Sequence, residues 1–409
     1  MNSAPATPSY DAVPGPLGGF MGPQDRGLLR YMKLTDPIML LAWVFYTSMP
    51  NEGAGLQRYA CVAYFMVGMV LFARQTLPTY ARGWPLLILP TMCLISTLWA
   101  PSMNEAVRKG LFMGLSGAIA VYAATRLTGR QIITIYFLGE IAGAVLTLLS
   151  PNPVGGNWTG PFGQKNFLAV HMFILYACSF ALMLDRGSHR FMRMGAALFV
   201  LIAAVIIVMT KSATTLIMML GTTCAFLGHA YLWEPARRIK HMRTFILMFL
   251  TLIALVAVLL LFGLFQLDAT KTLLEALGKD STLTGRTFIW DWGYRIMNEN
   301  PWTGVGANGF WRPEVGIANQ ITTFFFYDHF VKFSIHNSYL ENGVQFGYPG
   351  YYATIFLASW GLWSAARNWM RNQTLINGAF LIMCFAVVVR SNAEADFAAE
   401  LGGTAILFF

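Results

Sequence analysis

Apolar residues run along this chain in nearly continuous blocks separated by short polar breaks, and only one polar stretch, 268–337, is long. A helix rises about 1.5 Å per residue, so about 20 apolar residues are needed to cross roughly 30 Å of hydrocarbon. Blocks that approach this length lie at 37–50, 59–73, 84–100, 111–124, 131–150, 167–184, 196–210, 213–232, 245–267, 338–363, 376–389 and 393–409. About 12 transmembrane helices are therefore expected, the first and last being short or polar enough to be re-entrant. The pattern predicts an all-α polytopic membrane protein in which 36–409 form one transmembrane domain and 268–337 a cap loop outside the bilayer. Residues 1–35, rich in Pro and Gly and without a signal-peptide apolar core, read as a flexible tail. No internal repeat is evident, which disfavours transporters built from two related halves.

Composition agrees with the pattern. The chain has 409 residues, 56% hydrophobic and 11% charged, too much apolar surface for one water-soluble core. The basic balance, +9, invites a nucleic-acid reading, but the cations alternate with the spans. With the N-terminus inside, sixteen of the 28 Lys and Arg fall in the tail and cytoplasmic loops, six in the short outer loops and six in 268–337. Short cytoplasmic loops retain cations, so the long loop faces the periplasm or exterior, and no nucleic acid is needed to explain the charge. Cys61, Cys93, Cys178, Cys224 and Cys384 all fall in predicted spans without a C-x-x-C pair, which disfavours a disulfide framework or zinc.

The outer side gathers groups that suit an anion: Lys165 and Asn166 at the start of one span, Lys211 between two spans, Arg286 in the cap and Arg390 before the last segment. Arg286 follows Thr284, a good N-cap, and Ile289, Trp292 and Ile296 continue at helical spacing. A cation in a first helical turn opposes the helix dipole unless an anion sits there too. The alternative is an ion pair with a loop acid such as Asp280. His336 precedes a helix for which Ser338 and Glu341 offer a capping box, and a helix N-terminus favours a neutral, proton-accepting imidazole. The bland reading is a histidine bonded to a loop carbonyl. Gly160 and Gly163 permit a tight turn that aims Lys165 and Asn166, while Gly343 and Gly347 read as a small-residue packing pair. Gly304 to Gly309 fits G-x-G-x-x-G but follows no buried strand and reads as a turn. Glu394 and Asp396 look like a metal pair without further acids nearby, so no metal and no cofactor are expected.

Taken in order, Gly163-Gln164-Lys165-Asn166, Lys211-Ser212-Ala213-Thr214, Thr284-Gly285-Arg286-Thr287 with Trp290, Gly304-Val305-Gly306 with Phe310-Trp311, and His336-Asn337-Ser338-Tyr339-Leu340-Glu341 resemble the O-antigen ligase and polymerase family. Within it the chain looks most like Wzy-type exopolysaccharide polymerases. The resemblance implies a GT-C-like, metal-independent, inverting glycosyltransferase of the bacterial inner membrane, N-terminus cytoplasmic, acting at the periplasmic face. Donor and acceptor would be undecaprenyl-pyrophosphate-linked glycans, with membrane lipids and chain-length-regulating and export proteins as partners. By position, Arg286 would grip the donor pyrophosphate and His336 would deprotonate the acceptor. Lys211, Lys165 and Arg390 would add cations, and Asn166, Asn337, Tyr339 and Trp290 would shape the site. The family's outer-loop Ser-Arg stands here as Lys211-Ser212, reversed, and lysine lacks the bidentate fork of arginine. A ligase that passes the glycan to lipid A-core or protein fits the same residues. A carrier-lipid transporter would instead place charges near mid-membrane.

Overall fold

The computed structural model describes residues 23–48, 55–236, 238–246, 248, 252, 285–324, 329–330 and 333–395. Its architecture is all-α apart from one two-stranded hairpin. The helices are α1 (Pro23–Ser48), α2 (Gly55–Leu71), α3 (Ala73–Arg82), α4 (Ile88–Ile95), α5 (Met103–Arg126) and α6 (Gly129–Leu149). After the hairpin of β1 (Pro153–Val154) and β2 (Asn157–Trp158) come α7 (Lys165–Leu184), α8 (Arg190–Thr210) and α9 (Ala213–Leu227), which continues through a π-helical turn, Gly228–Trp233. The long polar stretch contributes α10 (Arg286–Glu299) and α11 (Gly316–Phe324), followed by α12 (Ser338–Arg371) and α13 (Leu375–Arg390).

Helix α7 is the centre, with Leu168, Ala169, Met172, Leu175, Ala177 and Ala181 all inaccessible. Helix α8 packs on it through Ala196 and Ala203, whose small side chains let the backbones approach. The other face of α8 carries Leu198, Leu201, Val205 and Val208, each more than half exposed and spaced three or four residues apart. An apolar stripe facing outward on a helix of this length is a lipid-facing stripe. Asp36 and Arg126, both buried in the bundle, are paired, as their desolvation requires. Asp36 on α1 accepts from Arg126 Nε at 3.0 Å and from the hydroxyls of Tyr64 and Tyr122 at 2.8 Å each, which ties α1, α2 and α5 together.

Four described helices are long and apolar enough to cross a membrane: α6, α7, α8, and α9 with its extension to Ala236. The α2–α3 pair, bent by 100°, makes a fifth if counted as one broken span. The described residues therefore support a multi-pass helical protein rather than a count of twelve. The block 84–100 is divided among two 3₁₀ turns and α4, and α5 opens on Glu105, Arg108 and Lys109. The block 245–267 and most of 393–409 lie outside the described residues. Helix α1 begins at Pro23, earlier than the boundary expected near 36, because proline is suited to a first helical turn.

The break in α12 positions the cap. Gly347 adopts φ +70 and Pro349 lacks an N–H, so the carbonyls of Val344 and Gln345 lose their helical partners. They accept instead from Val305 N at 3.0 Å and Gly306 N at 2.9 Å, while Tyr348 N donates to Pro301 O at 2.7 Å. Irregular backbone inside an apolar bundle persists when such groups are satisfied by a neighbour. Gly347 is thus a kink against Pro301, not half of a helix-packing pair with Gly343. The 300–309 loop is a turn, as its sequence indicates, and Lys109 Nζ braces it through Gln345 Oε1 at 2.7 Å. A Cβ on Gly304, at φ +59, would lie 2.4 Å from Gln345 C and Phe346 N. Gly304→Ala is expected to cost about 2–4 kcal/mol from clash and left-handed strain. Gly221→Ala, where nothing lies within 4 Å, is expected to cost little. Thermal unfolding of the detergent-purified variants checks the contrast, and equal midpoints would contradict it.

Candidate active site around Glu394

Arg390 ends α13, and the chain then turns tightly, with Ala393 N and Glu394 N both donating to Arg390 O at 2.8 and 2.9 Å. Ser338 in the first turn of α12 stitches this turn down: its N–H donates to Ser391 O and its hydroxyl to Glu394 O, each at 2.8 Å. The carboxylate of Glu394 is thereby held beside the segment that carries His336. Three donors converge on it from distant parts of the chain. Arg286 Nη2 reaches Oε1 at 2.5 Å, Asn166 Nδ2 reaches the same oxygen at 2.9 Å, and His336 Nδ1 lies 2.9 Å from Oε2. The Glu394 side chain is 8% exposed, whereas those of Arg286 and His336 are 20% and 21% exposed, so the latter two border accessible space.

The backbone around His336 is closely specified. His336 takes φ +51, a left-handed conformation that costs a non-glycine residue about 1 kcal/mol and persists only when neighbours fix it. Trp290 Nε1 donates to Ile335 O at 2.9 Å, and Ile335 N donates to Glu341 Oε2 at 2.8 Å. The residue before His336 is therefore fastened at both its polar groups. Asn337, not Ser338, is the N-cap of α12, its Oδ1 accepting from Tyr339 N and Leu340 N at 3.0 and 3.1 Å. The expected Ser338–Glu341 box fails because both side chains are engaged elsewhere, Ser338 with Glu394 and Glu341 with Ile335 and Gln345. Tyr339 packs against the apolar cluster of Leu86, Leu89 and Leu357, its hydroxyl donating to Val388 O at 3.3 Å.

Arg286 occupies the first turn of α10 as its sequence implies, but the N-cap is Gly285 at φ +80. Thr284 and the proposed partner Asp280 lie outside the described residues. The anion that accompanies this cation is Glu394. Gly160 and Gly163 both take positive φ and turn the chain into α7, as anticipated, placing Asn166 at the carboxylate and Lys165 beside it in the first turn. Arg390 is 3% exposed and bonds Thr215 Oγ1 and Asn166 O, each at 3.3 Å. Its charge reaches the site through Glu394 and Asn166 rather than across an open surface. Lys211 is the exposed left-handed cap of α8, next to Gly156 of the hairpin. Its neighbour Ser212 connects by way of Thr215 to Arg390.

Sequence reasoning set Glu394 aside as half of a metal pair, and Asp396 lies outside the described residues. The overlooked signal was its position four residues after Arg390, at the end of an apolar helix, where an acid needs a partner. Burial pushes the Glu394 carboxyl upward, but the hydrogen bond from His336 and the charges of Arg390, His336 and Arg286 outweigh it and hold the group below its ordinary value.

These features fit an all-α, multi-pass membrane protein with a polar site where α10 meets the ends of α7, α12 and α13. The family model described as O-Antigen ligase matches residues 197–355, a stretch that includes Lys211, Arg286, Trp290, His336, Asn337 and Tyr339. The chain is also 27% identical over 292 residues to the Exopolysaccharide production protein ExoQ of Rhizobium meliloti (strain 1021). That alignment covers 68% of this chain and 64% of the relative's length. The resemblance to the O-antigen ligase and polymerase family is thus borne out.

A carboxyl held low in the folded state stabilises above its unfolded value, and that contribution is lost as pH falls through the folded value. The stability advantage of the wild type over Glu394→Gln is therefore expected at neutral pH and should shrink below the ordinary carboxylate range. Thermal midpoints across an acid series check this, and a gap unchanged by acid would contradict it.

Proposed function

We propose that this protein is a glycosyltransferase that polymerises undecaprenyl-pyrophosphate-linked oligosaccharide repeats into exopolysaccharide at the periplasmic face of the bacterial inner membrane. The single observation that carries the reading is the convergence of Arg286 and His336 on the two oxygens of Glu394. In the reaction an acceptor hydroxyl attacks the anomeric carbon from the side opposite the pyrophosphate. The C–O bond to the pyrophosphate breaks, the leaving group takes the electron pair, and the configuration inverts. A pyrophosphate departs readily, so what the protein must supply is cationic stabilisation of the developing charge, for which Arg286 is placed, and a base for the hydroxyl proton.

Glu394 gives His336 the orientation a base requires. With the carboxylate accepting from Nδ1–H, the lone pair of Nε2 is left to take the acceptor proton, and the same carboxylate balances the imidazolium that forms. Asn166 and Trp290 hold this arrangement from two other elements, through Glu394 and Ile335. Lys165, Lys211 and Arg390 supply further positive charge around it. The reading needs no metal. It takes 36–409 as the catalytic membrane domain with a GT-C-like arrangement of about 12 spans, the N-terminus in the cytoplasm, and 268–337 as the periplasmic cap. The ExoQ relative, by its name, supports a role in exopolysaccharide production. The family description supports the second reading, a ligase that transfers the glycan to lipid A-core or protein.

His336→Ala is expected to abolish glycan transfer by purified, folded protein, and Glu394→Gln to slow it about 10²-fold or more while donor binding persists. Transfer by His336→Ala at the wild-type rate would rule out the base. Loss of activity with a chelator and recovery with Mg²⁺ or Mn²⁺ would rule out the metal-free mechanism. Glycans of a deletion strain separate the two readings: single carrier-linked repeats are expected for a polymerase, whereas full-length unattached polymer would establish a ligase.

A further inference from the structure

The helix ends on the face opposite Glu394 enclose a feature that the glycan chemistry does not use. The starts of α6 and α13 and the ends of α7, α9 and α12 surround a cavity of about 920 Å³. Five arginines line it, Arg130, Arg186, Arg193, Arg243 and Arg371, against two acids, Asp185 and Glu234. Among the described residues, Arg130 alone of the five forms an ion pair, with Asp185 at 2.7 Å. Two N-capped helix starts add to the positive potential, Thr128 capping α6 and Thr374 capping α13.

A separate observation points to a ligand. His229 lines the cavity, is 7% exposed, and sits in the π-helical turn that interrupts α9. Trp369 Nε1–H donates to His229 Nε2 at 3.2 Å, so in the neutral ring the proton is on Nδ1. That Nδ1 is buried with no hydrogen-bond partner among the described residues. The Nε2–Cδ2 edge lies against Gly378 and Trp369, which turns Nδ1 to the other side of the ring. A buried donor without an acceptor is costly unless something fills the place.

We propose that this cavity binds a phosphate group, with Arg186 and Arg371 as its exposed cationic rim and His229 Nδ1–H as a buried donor. The phosphate oxygens supply the acceptor that His229 lacks, and the arginines match their charge. The same chemistry is offered by the headgroup of an anionic phospholipid and by a soluble phosphate. This site is independent of the glycan reaction and stands whether or not that reading holds.

The test uses the full-length protein in a phosphate-free maltoside detergent, adding either inorganic phosphate or phosphatidylglycerol, with sodium chloride at matched ionic strength as the reference. A thermal midpoint raised by about 3 °C or more is expected from at least one addition. A response to phosphate identifies a soluble ligand, and a response to phosphatidylglycerol alone identifies a lipid headgroup. Both rim residues are exposed, so the double variant Arg186→Gln/Arg371→Gln should fold and lose most of the shift. His229→Phe should lose it too, but that buried change can also disturb folding, so the double variant decides. No shift beyond sodium chloride from either addition, or an undiminished shift in the double variant, would overturn the proposal.

Discussion

A carboxylate shielded from water at the end of an apolar helix stays charged only if donors surround it, and the polar side of this molecule is organised by meeting that demand for Glu394. Its two oxygens collect an arginine from the cap, an asparagine from the central helix α7 and a histidine from the loop before α12. Each donor arrives on a different element, so the carboxylate fixes how those elements stand to one another. The stitching of Ser338 to Ser391 and Glu394 adds a backbone constraint to the electrostatic one. Removing the acid would leave Arg286 and His336 close together with no anion between them.

A second demand of the same kind shapes the scaffold beneath. Where α12 breaks at Gly347, the exposed carbonyls are taken up by the glycine-rich loop after α10, and the loop is held by the bonds that repair the helix. Gln345 and Glu341 then connect this repaired break to Ile335, one residue from His336. Helix break, cap loop and imidazole thus belong to one continuous set of hydrogen bonds, with Lys109 buried at its base.

What could be read from the sequence follows the range of the forces involved. Helix starts at Lys165, Arg286 and Ser338 were visible because their signals, a turn glycine or an apolar period, lie within a few residues. Arg286 was legible as a cation in need of an anion, and His336 as an imidazole at a helix entrance. The anion itself was not, because Glu394 lies 108 residues from Arg286 and 58 from His336. The mistaken capping box has the same origin: Ser338 and Glu341 have the right spacing, but tertiary partners claim both and leave Asn337 to cap. The count of spans was the least legible, since kinks at Gly347 and at the α2–α3 bend depend on neighbours that composition does not reveal.

The 2.5 Å contact between Arg286 and Glu394 also means that this arginine carries its own counter-charge. Under the proposed reaction an incoming pyrophosphate would meet a guanidinium whose Nη2 already holds a carboxylate, so its binding would extend an existing ion pair rather than neutralise a lone cation. A monovalent carboxylate arriving from solution would gain almost nothing there, whereas a group with several charged oxygens could engage Arg286 while Glu394 keeps its hold on His336. Under the proposed reaction the internal ion pair would thus act as a threshold that favours a multiply charged phosphate over a weakly charged ligand.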